Sequence, residues 1–325
     1  MRCRLIAVLA AVVTAASVQA APLEQVASIT MPNVKGRIDH FAVDAAGHRL
    51  FVAALGNDTV EVLDTGAARH LRSLTGFGEP QGLAYVADPP RLFVANGSAD
   101  RLDILDGATF APIQRVGKLP DADNVRYDAA ARQVVVGYGK GALRFMALDR
   151  PGSGREIQLA AHPESFQLEK NGERVFVNIP DARQVAVVDR AKDQVVATWE
   201  VPGARANFPM ALDEGGRRLF VGARSPAALL VYDSDSGKVV SRIDIGGDTD
   251  DVFFDAVRKR IYVVCGAGRI DVLRQETRDK YVHEESIRTA PRARTGLFVP
   301  AEGRLYVAAP AQGGSEARVL VYEVR

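Results

Sequence analysis

The chain has 325 residues, of which 47% are apolar and 25% charged, with 41 basic and 40 acidic side chains. That is ample material for a packed core, and the even charge balance gives no basic face for nucleic acid. With only Cys3 and Cys265 present, a disulfide-framed scaffold is excluded.

Residues 1–20 differ in kind from the rest. Arg2 and Arg4 precede an apolar run from Leu5 to Val13, and Val18–Gln19–Ala20 fits small-x-small cleavage. This pattern predicts a secretory signal peptide, too short for a membrane anchor. Cys3 lies before the apolar run, so it is not a lipid-attachment cysteine. Cleavage near Ala20 leaves 39 basic against 40 acidic groups. The expected product is exported, either periplasmic or secreted. No other apolar run is long enough to span a bilayer. Residues 21–325 show no linker or shift in composition, which predicts a single domain.

Within that domain one triplet keeps returning. It reads Leu50–Phe51–Val52, Leu92–Phe93–Val94, Val134–Val135–Val136, Val175–Phe176–Val177, Leu219–Phe220–Val221, Ile261–Tyr262–Val263 and Leu305–Tyr306–Val307. The anchoring valines are 42, 42, 41, 44, 42 and 44 residues apart. A period of about 40–45 residues is that of one four-stranded propeller blade. The prediction is an all-β, seven-bladed propeller with four antiparallel strands per blade. In the second repeat, strands are expected at residues 82–86, 92–95, 102–105 and 112–117, between Gly-, Asp- and Pro-rich turns. Asp64, Asp106, Asp189 and Asp233 stand 12 residues after their anchors, where a carboxylate can cap a turn. The seventh repeat ends at its third strand, and residues 23–30 resemble a fourth strand. The N-terminal strand is therefore expected to close the last blade and cover its edge.

The run Arg91–Leu92–Phe93–Val94–Ala95–Asn96–Gly97, with residues 102–106 after it, resembles the repeat of bacterial YVTN-type (YncE-like) seven-bladed propellers. The likeness extends over essentially all of residues 21–325. It implies the fold, and a superfamily of binding proteins, lactonase-like enzymes and accessory domains of redox enzymes. It supplies no residue set that maps onto this chain, so function must be argued from the site.

Chemistry concentrates in the loops leading into the inner strands. Counting the anchoring valine as zero, position −12 reads His40, Gly82, Asn124, Ser165, Pro209, Asp251 and Thr295. Position −13 reads Asp39, Gln81, Asp123, Glu164, Phe208, Asp250 and Arg294. Position −15 reads Arg37, Glu79, Asp121, His162, Ala206, Asp248 and Arg292. Strand alternation aims Arg126 and Gln167 into the channel beside position −12.

Three readings of this concentration stay open. Neighbouring loops could pair their charges, as Asp248 or Asp250 with Arg292 or Arg294. A small molecule or protein could seat on the rim, held by Arg37, Asp39, His40, Asp123, Asn124, Arg126, Glu164, Gln167, Asn207, Asp250, Asp251, Arg292 and Arg294. Guanidiniums suit carboxylate or phosphate. A divalent metal could be held by Asp121, Asp123, Asp248, Asp250 and Asp251, with His40, His162 or Glu164. The reading adopted is a monomeric binding module. Its rival is a lactonase-like hydrolase, possibly metal-dependent, with His40, His162 or Glu164 moving the proton and Arg126 or Arg294 holding the oxyanion.

The remaining motifs are read as structural. Gly137–Tyr138–Gly139–Lys140–Gly141 lies between strands with no helix after it, so it is not a dinucleotide fingerprint. Cys265 continues an apolar strand and is expected in the core. Trp199 is expected between blades, and His48, His70 and His283 in solvent.

Overall fold

The computed structural model describes residues 21–325. The signal-peptide expectation for residues 1–20 lies outside them. Seven four-stranded antiparallel sheets follow one another along the chain. The first strands of blades 1–7 are Phe41–Asp44, Pro80–Ala87, Val125–Asp128, Phe166–Leu168, Arg205–Asp213, Thr249–Asp255 and Gly296–Val299. Those of neighbouring blades touch one another almost all the way round, which places them about the axis. In blade 2 the four strands are Pro80–Ala87, Pro90–Asn96, Arg101–Asp106 and Pro112–Gly117. The first three exceed the expected lengths by two or three residues, and between the first two the turn shrinks to Asp88–Pro89.

The triplet is the hinge between neighbours. A strand sends successive side chains to opposite faces. In blade 1, Leu50 and Val52 therefore pack toward blade 7 while Phe51 packs toward blade 2. In blade 2, Leu92 and Val94 meet that same cluster and Phe93 faces blade 3. The pattern repeats around the ring, so each of the seven apolar clusters spans two adjacent blades. The triplet residues are essentially inaccessible to solvent. Trp199 lies between Phe176 of blade 4 and Tyr232 of blade 5, with ring centroids 5.5 and 6.0 Å away. Cys265 is in the core, and burial pushes its thiol up to about 12.

The ring closes as expected. Leu23–Met31 is the outer strand of blade 7, antiparallel to Ala317–Val324, with Leu23 opposite Val324 and Met31 opposite Ala317. Ile29 and Met31 pack in the cluster joining blades 7 and 1. The four turn aspartates act structurally. The backbone N–H groups of Gly66, Ala108, Ala191 and Ser236 each donate to Asp64, Asp106, Asp189 or Asp233 at 3.0 Å. Among the described residues no helix is long and apolar enough to cross a membrane.

Candidate functional site

The lead-in loops continue the ladder of the inner strands. The N–H groups of Asp39, Asp123 and Glu164 donate to the carbonyls of Ala53, Gly137 and Asn178 at 2.8, 3.0 and 3.0 Å. These acceptors each follow an anchoring valine by one residue. Position −13 is thus held alike in different blades. All seven −13 side chains line one cup of about 350 Å³ at the channel mouth. Arg37, His40, Asp121, His162 and Arg224 complete the wall, giving five carboxylates against three guanidiniums and two imidazoles.

One arc of the wall is locked by its own ion pairs. Arg294 lies 3.0 Å from Asp248 and 3.0 Å from Asp250. Arg224 also pairs with Asp250, donates to Thr249 O at 2.8 Å and covers the Phe208 ring at 3.9 Å. Burial still raises the Asp250 carboxyl above its ordinary value, against the pull of Arg224 and Arg294. Arg37 is half-exposed and pairs with buried Asp39 at 2.9 Å.

The opposite arc is less satisfied. Asp123, His162 and Glu164 come from adjacent blades, and their donor atoms all lie within 4.8 Å of one another. His162 Nδ1 donates to Gly139 O at 2.7 Å, which leaves Nε2 facing Asp123 Oδ2 at 3.7 Å. That separation is too long for a hydrogen bond. Burial pulls the His162 imidazole down, but Asp123, Gly139 O and Asp121 outweigh it and lift it to about 9. Burial, with Asp123 and Asp250 nearby, holds the Glu164 carboxyl well above its usual range. For Asp123 burial works upward, yet His162, His40 and Arg37 prevail and keep it low.

A second cavity of about 350 Å³ runs down the channel, and His40 lines both. Here Arg126, Gln167 and Asp251 face inward as strand alternation predicts. Arg126 donates to Val125 O at 2.9 Å and lies over the Phe166 ring at 5.5 Å. Gln167 donates to Met210 O at 3.0 Å. Asp251 accepts from Gly296 N at 2.8 Å and lies 3.9 Å from His40 Nδ1. Burial pushes Asp251 up to about 7 despite His40. Burial also depresses His40, but Asp39, Asp251 and Asp123 together leave it above its ordinary value. Asn124 contacts His40 at 3.3 Å. Asn124 Oδ1 is buried without a hydrogen-bond partner.

Several expected site residues stand elsewhere. Arg292 is exposed in a left-handed turn at φ 64° and lines neither cavity, so it does not join Arg37 and Arg294. Asn207 is wholly buried, donating to Asn178 Oδ1 and Gln184 O at 3.1 Å each, and it ties blade 5 to blade 4. The five aspartates do not form one metal set. Asp248 and Asp250 are taken by arginines, Asp251 lies in the channel, and only Asp121 and Asp123 approach His162.

Other residues were hidden from the sequence reading. Arg224 reaches the cup from the second strand of blade 5, three residues after its anchor, where the other blades carry Leu, Gly or Pro. That contrast was the available signal. His48 and His283 are exposed as expected, whereas His70 is largely buried, and both His70 and His283 have carboxylate neighbours. They lie 2.7 and 3.5 Å from the buried carboxylates Glu61 and Asp271, which also accept from Ser73 and Ser286. A charge in the middle of the apolar strands Thr59–Asp64 and Arg269–Thr277 was their signal.

No protein-family model matches this chain, and no curated protein does. Solved structures share its architecture. A chain of Kuenenia stuttgartiensis hydrazine synthase superposes with a TM-score of 0.77 at 16% identity, over 89% of this chain and 97% of that one. A chain of the mitotic checkpoint complex gives 0.80 at 14% identity, over 100% and 99%. At such identities the likeness establishes a seven-bladed β-propeller, and function has to be argued from the site.

Proposed function

We propose that this chain is an exported propeller of the YVTN (YncE-like) type that binds a small, polar, charged molecule in the cup at its channel mouth. The observation that carries the reading is the convergence of all seven −13 side chains on one recessed cavity. A blade needs only a turn there. Orphaned Asn124 Oδ1 adds a buried polar atom that a ligand can satisfy. The basic, then apolar composition of residues 1–20 supports export. The test is native mass spectrometry on protein purified from its source extract, followed by ligand identification. A retained species released by Arg37→Gln supports the reading. No retained species, or one held equally by that variant, overturns it.

A lactonase-like hydrolase is the second reading, favoured by the Glu164 carboxyl, which burial and neighbouring carboxylates raise well above its usual range, beside the His162 imidazole. A carboxyl shifted toward neutrality suits general acid–base work. Turnover of a lactone panel that is lost in Glu164→Gln supports it. Absence of turnover removes it.

A further inference from the structure

The unsatisfied arc of the cup has the makings of a metal centre. Asp123 holds position −13 of blade 3 and Glu164 the same position of blade 4, while His162 stands two residues before Glu164. Both side chains lie in the lead-in loop before Phe166–Leu168 and line the same cup. The N–H bonds from Asp123 to Gly137 O and from Glu164 to Asn178 O fix both loops against their blades. The three donor atoms then fall within 4.8 Å of one another.

Two further observations separate this group from an ordinary charge cluster. The Asp123 side chain is only 7% exposed, lines the cup and receives no hydrogen bond from any described residue; its nearest partner is His162 Nε2 at 3.7 Å. A buried carboxylate without a donor is costly. His162 is oriented as a metal-ligating imidazole is, with one ring N–H given to a backbone carbonyl and the other nitrogen turned to the carboxylates. Gly139, which supplies that carbonyl, has φ 65°, a conformation glycine adopts freely. The glycine run of blade 3 therefore has a use: it presents an oxygen to His162.

We propose that Asp123, His162 and Glu164 bind one divalent first-row transition ion, such as Zn²⁺ or Mn²⁺, on the wall of the cup. One imidazole with two carboxylates suits such ions, whereas Ca²⁺ prefers six to eight oxygens. With metal–ligand bonds of about 2.0–2.2 Å, donors around a tetrahedral ion are roughly 3.3 Å apart. The 3.7 Å between His162 Nε2 and Asp123 Oδ2 closes to that by a small side-chain shift. Three protein ligands leave a coordination position open toward the cavity. Across the cup Arg224 and Arg294 are already engaged with Asp250, so those guanidiniums do not compete for Asp123 and Glu164.

The inference shares the cup with the preceding reading but needs no organic ligand, so its test uses metal alone. Full-length mature protein is stripped with chelator and dialysed against Zn²⁺, Mn²⁺ or Ca²⁺, and bound metal is counted by elemental analysis. The expected result is about one Zn²⁺ or Mn²⁺ per chain. At a hundredfold excess over Kd, a rise in Tm of roughly 2–6 °C is expected. His162→Gln and Glu164→Gln should lose both signals. His283→Gln, which alters the imidazole beside Asp271 on blade 6, should keep both. Circular dichroism confirms that the variants are folded. No stoichiometric transition metal, or metal retained fully in His162→Gln and Glu164→Gln, overturns the proposal. Metal bound without any retained small molecule counts against the ligand reading alone, and the converse counts against this one alone.

Discussion

Leu23 stands opposite Val324 in the register of blade 7, so the two ends of the described chain meet in one pair of antiparallel strands. Closure rests on Ile29 and Met31, which are buried in the cluster between blades 7 and 1. Ile29→Asp puts a charge in that cluster and opens the ring. A loss of about 3–5 kcal/mol in urea unfolding is expected. An unchanged midpoint would show that the N-terminal strand is dispensable.

The interfaces between blades predict where truncation hurts. Phe220 of blade 5 is fully buried, 5.2 Å from the Phe254 ring and 5.7 Å from Tyr281 of blade 6. Phe220→Ala should cost about 3–5 kcal/mol. Val196 is 45% exposed on an outer strand, and Val196→Ala should stay within about 0.5 kcal/mol. Equal effects would contradict the packing described.

The architecture was legible in the sequence because one period of alternation both buries the triplet and names its neighbours. Position −13 was legible too, since the same count from Val136 and Val177 that finds Asp123 and Glu164 also finds the other five residues of the cup. What escaped was local geometry. Arg292 obeys the count, yet it is exposed and lines neither cavity, although Asp121 has the same left-handed backbone at the same count and does line the cup. Arg224 breaks the count, entering from the other end of the second strand, and Asn207 is drawn inside by its bond to Asn178. Single-chain periodicity reports which residues share a level of the ring. It does not report which of them pair across it.

Arg224 and Asp250 form a recessed pair beside Thr249. Removing Arg224 leaves buried Asp250 with Arg294 as its one remaining guanidinium, whereas removing both members of the pair leaves neither charge to compensate. Arg224→Met should cost about 1–3 kcal/mol, and Arg224→Met with Asp250→Asn should recover part of it. A double variant that is simply additive would mean the pair carries no coupling.

Asp251 should give the fold a pH dependence whose sign follows from its burial. Its carboxyl is pushed up to about 7 in the folded protein, so the native state keeps a proton that the unfolded chain releases near pH 4. Stability from this group therefore falls as pH rises from about 4 to 7 and levels off above. Asp251→Asn keeps an acceptor for Gly296 N–H and removes the titration. The variant should gain on the parent at pH 8 and lose that gain at pH 4, by thermal melts at both. A gap independent of pH would contradict the assignment.

Cys265 offers a simple probe of the same core. Wholly buried, with its thiol pushed up to about 12, it should resist thiol reagents at pH 8 until the protein unfolds. Rapid labelling under native conditions would show that the joint between blades 5 and 6 opens locally.

The alternating triplet also bears on how such a ring can change size. Each joint unites the middle side chain of one repeat with the flanking pair of the next, so no repeat supplies both halves of a joint. Copying one whole repeat in frame inserts a matching half on either side, and the circle widens by one sector with its ends still able to meet. A partial copy strands two greasy half-joints in water. A duplication that keeps every joint filled would therefore have to be a whole unit, measured from one anchoring valine to the next.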